Sequence, residues 1–209
     1  LYKKNYTGFK SFVSEFYARR LKRLYPVLII FITVTAICTY AFDPDINENF
    51  RMSISALFGV SNIYIYIQQT DYFSVAQELN PWLHTWSLGV EFQFYLIFPV
   101  IAWITGYTRE NTKNGEKNLE ATLIVIGTIS SLIYYYQYYT DFAAAYFLTI
   151  SRIWEICIGC LTLIAVKKRY NAIMTLSNIP TIIFFAMIVL VATQRNANGL
   201  IITPVICLL

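Results

Sequence analysis

Charged residues are scarce in this chain, and their scarcity excludes an ordinary soluble domain. Only 13% of the 209 residues are Asp, Glu, Lys or Arg, whereas 57% are hydrophobic, 17% are aromatic and the mean hydropathy is +0.51. A soluble core of this size does not need so many apolar side chains. We therefore predict an all-α fold, a multi-pass helical membrane protein in which residues 1–209 form a single membrane domain.

Cysteine is also rare and is confined to apolar runs, where we expect neither a disulfide framework nor a zinc site. The four cysteines are Cys38, Cys157, Cys160 and Cys207. Cys157 and Cys160 form a C-x-x-C pattern, but no second pair of ligands accompanies them. Close helix packing through small residues explains that pattern better than metal binding, and we predict no metal site.

No signal peptide, initiator methionine or internal repeat is visible in the sequence. Residues 1–23 are basic, aromatic and polar, without the central apolar stretch of a signal peptide. The sequence opens on Leu1 and stops at Leu209 inside an apolar run. We therefore expect the chain to be part of a longer protein, truncated at both ends.

Apolar runs are what the chain has in quantity, and a spanning helix needs about 20 largely apolar residues. The candidate spans cover residues 24–42, 53–68, 86–106, 119–139, 146–166 and 179–193, and a further one starts at residue 200. Pro26 suits the first turn of the first predicted helix, where a missing N–H is tolerated.

Positive charge predicts the topology, because short loops rich in Lys and Arg stay in the cytoplasm. Residues 1–23 carry seven basic residues and one acid, so we predict a cytoplasmic segment there and a spanning bundle over residues 24–209. If every later candidate crossed the membrane, the basic loops after residues 106 and 166 would both lie outside. The conflict disappears if residues 53–83 form a re-entrant unit on the outer side. A full crossing at residues 53–68 is the alternative.

Two ionisable residues interrupt the third predicted span. Its segment N-P-W-L-H-T-W-S-L-G-V-E-F-Q-F-Y-L-I-F-P carries the only histidine and a glutamate into apolar surroundings. An ionisable group in hydrocarbon costs about 2.5–3.5 kcal/mol, so it usually faces a cavity or a partner. His84, Ser87 and Glu91 are spaced i, i+3 and i+7 and so share one helical face. We predict His84 and Glu91 as an acid/base site.

These residues also have structural alternatives. Ser87 has no nucleophile motif around it, and we interpret it as a packing or hydrogen-bonding serine. For His84 the alternative is an interfacial histidine in an aromatic belt with Trp82 and Trp86.

A basic cluster precedes the first predicted span. Arg19, Lys22 and Arg23 share one helical face at i, i+3 and i+4. Arg20 lies beside them, and a cluster of this kind can clamp phosphates. The alternative is that the cluster only orients the helix and contacts anionic lipid.

A second charged cluster lies near the start of a later predicted span. Arg152 and Glu155 are spaced i, i+3, so their opposite charges can pair on a helix. A buried ion pair is costly, and folding alone seldom explains one, so this pair is a functional candidate. A purely structural pair that holds two helices together is the alternative.

Three segments, in this order and spacing, resemble the integral membrane proteins of acyltransferase family 3. They are F-Y-A-R-R-L-K-R-L-Y-P at residues 16–26, H-T-W-S-L-G-V-E-F-Q-F-Y-L-I-F-P at 84–99 and S-R-I-W-E-I-C-I-G at 151–159. The resemblance extends over nearly the whole chain. It implies an enzyme that transfers an acyl group, commonly acetyl from acetyl-CoA or another acyl-CoA. The acceptors implied are sugar hydroxyls of lipopolysaccharide, capsule, peptidoglycan or other exported polysaccharides.

The resemblance also implies roles for individual residues. The set implied to bind the phosphates of the coenzyme is Arg19, Arg20 and Arg23. It implies that His84 and Glu91 act in acyl transfer. It also implies that the substrate cavity is lined by Trp86, Ser87, Arg152 and Glu155. In the family, a histidine and an arginine considered central to transfer belong to the first spans, which would precede Leu1. His84 would then have a supporting role.

The partners implied by the resemblance are the lipid bilayer of a bacterial inner membrane, a glycan acceptor and, in some members, a soluble SGNH-hydrolase-like domain after the spans. We expect no nucleic-acid partner. The alternative function is a transporter of a lipid-linked sugar or a small solute, using the same buried charges. A transporter predicts inverted repeats, which are not visible, and a non-catalytic scaffold would not need buried ionisable clusters.

Overall fold

Helices form nearly all of the part of the protein that the computed structural model describes, residues 6, 8–42, 46–68, 81–108 and 114–168. Within these residues the helices are α1 (Phe9–Phe42), α2 (Ile46–Leu57), α3 (Ser61–Ile67), α4 (Thr85–Ile104), α5 (Gly115–Thr140), α6 (Phe142–Phe147) and α7 (Thr149–Lys168). The predicted all-α class is confirmed.

Four helical stretches are long and apolar enough to cross a membrane. They are Phe9–Ala41 in α1, Thr85–Ile104 in α4, Gly115–Thr140 in α5, and Phe142–Lys167, which covers α6 and α7. Each overlaps a predicted span, and together they make this an integral membrane protein. The spans predicted at residues 179–193 and from residue 200 lie outside the described residues.

Helix α1 begins well before the predicted span at residues 24–42. Good helix formers fill residues 15–24, and Glu15 pairs with Arg19 one turn later, so the basic stretch continues the helix. The expectation that Pro26 occupies a first turn is therefore wrong, because Pro26 lies in the interior of α1. A proline there leaves the carbonyl of Lys22 without its usual helical partner.

Residues 53–68, predicted as either a crossing or the first part of a re-entrant unit, belong to a broken helix, and residues 69–80 of that unit lie outside the described residues. At Gly59, with φ of 69°, the chain turns: the Val60 N–H donates to the Ser55 carbonyl (2.9 Å) and the Gly59 N–H to Ala56 (3.2 Å). This pair of bonds is a Schellman cap. Helices α2 and α3 are about 18 Å and 10 Å long, shorter than the roughly 30 Å of a hydrocarbon core. The shape suits a unit that enters and leaves on one side, and its place in the membrane remains a prediction.

Helices α1 and α4 run antiparallel. Near the start of α1, the Tyr6 N–H donates to the Thr108 carbonyl beyond the end of α4 (2.9 Å). Further along, the ring of Phe16 stacks on that of Phe98, with centroids 5.9 Å apart. Phe31 then meets Trp82, just before the start of α4, at 5.7 Å.

The same end of the bundle also holds the start of α5 and the end of α7. A Cβ at Gly115 would collide with the carbonyl of Gly106, so α5 begins directly against the end of α4. Helix α7 returns along α5, since the Ser130 hydroxyl donates to the Ile150 carbonyl (2.6 Å) and Ile164 belongs to the same core cluster as Leu119. We call this the basic end, because Lys10 at the start of α1, Lys117 at the start of α5 and Lys167 at the end of α7 adjoin it. The charge rule favours such an arrangement.

Candidate active site

Glu91 lies two turns into α4, and its partner is a tyrosine. The Tyr95 hydroxyl donates to Glu91 Oε2 (3.2 Å) and accepts a hydrogen bond from Arg20 Nη1 (3.3 Å). The Arg20 guanidinium also lies 4.5 Å from the centroid of the Tyr95 ring, a cation–π contact. A residue predicted to bind the donor and a residue predicted for transfer are thus joined through Tyr95.

Only one of the three predicted donor-binding arginines faces α4 in this way. Arg20 is half-buried and also contacts the ring of Phe16 at 5.6 Å. Arg19 and Arg23 are exposed, and Arg19 forms an ion pair with Glu15. The structure therefore separates one inward-facing cation from two that line the outside of α1.

Arg20 is level with the middle of the neighbouring span. Tyr95, which Arg20 contacts, lies about 15 Å from either end of α4. Helix α1 thus carries Arg20 alongside α4, and the cytoplasmic placement of residues 1–23 remains a prediction. Aromatic faces and a phenol oxygen stabilise the Arg20 cation at that level.

The predicted cavity residues Trp86, Arg152 and Glu155 come together around the start of α7. Arg152 is 7% exposed, donates from Nε to the Tyr146 carbonyl (3.1 Å) and pairs with Glu155, which confirms the predicted i, i+3 pair. Its guanidinium lies 4.8 Å, 5.4 Å and 5.7 Å from the ring centroids of Tyr146, Tyr134 and Trp86. The aromatic rings offset the desolvation of the cation.

His84 and Ser87 lie at the end of α4 away from the basic end. His84 is the exposed N-cap residue, so it precedes the helix, and the exposed Ser87 donates to the His84 carbonyl (3.3 Å). Along α4, His84 and Glu91 are separated by about 10 Å. The structure therefore does not bring the two predicted acid/base residues into contact, and their joint role remains a prediction.

A partly buried polar ring holds α3, α4 and α7 together, and the sequence prediction did not include it. The Asn62 amide donates to Thr149 Oγ1 (3.0 Å), Thr149 donates to Gln93 Oε1, and the Gln93 amide donates to Asn62 Oδ1 (2.8 Å). Asn62 is fully buried, and a Cβ at Gly89 would lie 2.6 Å from its Oδ1. Amide side chains within apolar segments are the signal that could have indicated this ring.

Comparison with known proteins places these residues in a family. Residues 6–208 match the family model described as acyltransferase domain. The chain is 35% identical over 150 residues to O-acetyltransferase OatA of Staphylococcus aureus strain NCTC 8325, covering 70% of this chain and 24% of that protein. It is 28% identical over 160 residues to the putative peptidoglycan O-acetyltransferase YrhL of Bacillus subtilis strain 168, covering 76% and 25%. The chain thus spans about a quarter of these relatives. No solved structure matches it.

Proposed function

The chain belongs to the acyltransferase domain family, and from that premise we propose that it transfers an acyl group, acetyl first, from acyl-CoA to a hydroxyl of a cell-surface glycan. The relatives named above are O-acetyltransferases by name, so they give no support to the alternative of a transporter. The location we propose is the bacterial plasma membrane.

The observation that carries this proposal is the chain of contacts from Arg20 through Tyr95 to Glu91. A guanidinium has five N–H donors, and the bond to Tyr95 uses one of them. Within the described residues no hydrogen bond occupies the others, so they can bind a phosphate or a carbonyl oxygen of the donor, which Arg19 and Arg23 would help to attract. Glu91 fixes the Tyr95 hydroxyl, and through it the position of the Arg20 guanidinium.

The two substrates then approach from opposite ends. The donor arrives from the basic end, and the glycan arrives from the end that bears His84, with Trp86, Ser87, Arg152 and Glu155 along its route. The acceptor oxygen bonds to the carbonyl carbon of the thioester while a general base takes the hydroxyl proton. The C–S bond breaks, and the coenzyme leaves as a thiolate that takes up a proton. Cationic donors stabilise the negative charge that develops on the carbonyl oxygen.

Peptidoglycan is the first acceptor to test, since the name of the Bacillus subtilis relative refers to it. The experiment supplies the purified full-length protein in proteoliposomes with acetyl-CoA labelled in the acetyl group, and with peptidoglycan fragments on the opposite side. We expect label in the glycan as an alkali-labile ester. Labelled acetyl-CoA that binds but yields no ester with peptidoglycan or any other exported glycan would contradict the proposed transfer.

A further inference from the structure

A cavity of about 240 Å³ lies between α1, α4 and α7, in the half of the bundle nearer the basic end. Its walls are mostly apolar, formed by Phe16, Phe94, Phe98, Ile156 and Leu163. Tyr95 and Arg20 form one side of it. The cavity therefore combines an apolar interior with a single guanidinium among its lining residues.

Arg20 gives this cavity a preference for a polar oxygen. Among the described residues Arg20 contacts aromatic rings and the Tyr95 hydroxyl, and it forms no ion pair. A guanidinium with free N–H donors beside an apolar cavity favours a ligand with an oxygen at one end and a short hydrocarbon at the other.

Gly159 leaves part of this cavity open. A Cβ built at Gly159 meets no atom within 4 Å, and Gly159 lies within α7 as a lining residue of the cavity. Gly159 is itself exposed, so a larger side chain there would narrow the cavity at its exposed edge without a clash against the backbone. The size of residue 159 thus limits the space at that edge.

We propose that this cavity receives the acyl end of the thioester donor, with the carbonyl oxygen at Arg20, and that Gly159 determines the longest acyl chain that fits. The inference rests on the acyl-CoA donor of the proposed function. The cavity volume of about 240 Å³ is below the roughly 300–1,000 Å³ of a pocket for a drug-sized ligand, so the cavity fits a short acyl chain and not the whole coenzyme.

The test compares Gly159→Ala and Gly159→Val with Ala165→Val, which adds volume to an exposed position of the same helix. Affinities of the purified protein for CoA, acetyl-CoA and butyryl-CoA are measured by titration. We expect Gly159→Val to lower the affinity for butyryl-CoA about tenfold or more relative to the affinity for acetyl-CoA, and Gly159→Ala to have a smaller effect. Affinity for CoA without an acyl group should stay the same in all variants, as should every affinity of Ala165→Val.

The outcomes separate the two levels of inference. One outcome is that the unchanged protein binds acyl-CoA and that Gly159→Val keeps the same ratio of butyryl-CoA affinity to acetyl-CoA affinity. If that variant also has the melting temperature of the unchanged protein, the cavity does not hold the acyl chain. An equal loss for CoA and both acyl-CoAs would also overturn the inference, because the cavity would then hold another part of the donor. If the unchanged protein binds no acyl-CoA at all, the donor of the proposed function is wrong as well.

Discussion

At the scale of single residues, Tyr95 determines what Glu91 can do. Glu91 is exposed on α4, and its described hydrogen bond comes from Tyr95, four residues later on the same helix. The i, i+4 spacing could have predicted that bond from the sequence. The contact between Tyr95 and Arg20 joins residues 75 apart, and no local pattern reveals it. Arg152 and Glu155 were predictable as a pair because three residues separate them.

Replacing Glu91 by Gln keeps its volume and removes its charge. We expect the Glu91→Gln variant to lose about a hundredfold or more in acyl transfer, within the range of general acid–base and positioning effects, with unchanged folded yield. Tyr95→Phe, which keeps the ring beside Arg20 and removes the hydroxyl, should show a smaller loss of the same kind. Transfer rates and size-exclusion profiles measure both. Full activity of Glu91→Gln would mean that the residue only packs, and His84 would return to being an interfacial histidine.

The arginines should differ in their contribution to donor binding. Arg20→Gln removes the inward-facing guanidinium, so we expect acyl-CoA affinity to fall about tenfold or more, as for a lost charge-assisted hydrogen bond. Arg19→Gln, on the exposed side of the same helix, is the matched control and should have a smaller effect. The triple Gln variant of Arg19, Arg20 and Arg23 should bind most weakly. Donor affinity that is unchanged in the triple variant, with membrane insertion verified, would assign the cluster to lipid contact.

At the scale of elements, the turn between α2 and α3 requires a glycine. Gly59 has φ of 69°, and a Cβ there would lie 2.7 Å from the Cβ of Phe92. The apolar run at residues 53–68 predicts one continuous segment, and Gly59 is the residue that could have indicated a break in it. The hydrogen bond between Gln93 and Asn62 then holds α3 against α4 and fixes the direction of α3. The sequence of residues 53–68 alone cannot predict this contact, because Gln93 belongs to another helix.

Gly59→Ala should therefore destabilise the protein. The left-handed backbone alone costs roughly 1–2 kcal/mol for an L-residue, and the collision with Phe92 adds to it. We expect a lower melting temperature in detergent. Gly159→Ala is the matched control, because its Cβ meets open space and alanine favours a helix. Equal melting temperatures for the two variants would show that the turn at Gly59 is not built as described.

The contact between α3 and α6 should weaken in alkali. The Tyr66 hydroxyl donates to Asp141 Oδ2 (2.8 Å), and this hydrogen bond raises the pKa of Tyr66, with burial and the charge of Asp141 adding to it. The neutral phenol is thus favoured in the folded state. Its stabilising contribution is present below the unfolded pKa of about 10 and is lost as pH rises through the higher folded value. Thermal unfolding at pH 8 to 11 should show a loss that Tyr66→Phe reduces, and an identical loss in that variant would refute the assignment.

At the scale of the whole molecule, the start of α1, the start of α5 and the end of α7 lie at one end. The charge rule places the basic stretches beside these ends in the cytoplasm, because it depends only on loop composition, and that placement remains a prediction. The order in which helices contact one another was not predictable in the same way. It depends on details such as the close approach of Gly115 to Gly106 and the return of α7 along α5.

Asn114 and Lys168 should both be cytoplasmic. Single cysteines introduced at these positions, in a background without the native cysteines, should resist an impermeant thiol reagent added outside intact cells. Thr140, exposed at the opposite end of α5, is the control and should react as Thr140→Cys. Reaction of Asn114→Cys or Lys168→Cys from outside would disprove the re-entrant placement of residues 53–83.

The level of Arg20 along α4 has a consequence for the surrounding lipid. The apolar stretch of α1 at residues 24–42 is centred on Thr33, whereas α4 is centred on Tyr95, which lies opposite Arg20. The two centres are thus offset by about 13 residues, or about 20 Å, along α1. One flat bilayer of roughly 30 Å cannot match both stretches at once. We therefore expect the membrane to thin on this side of the protein, or α1 to tilt, and either response would bring headgroups and water toward the middle of α4.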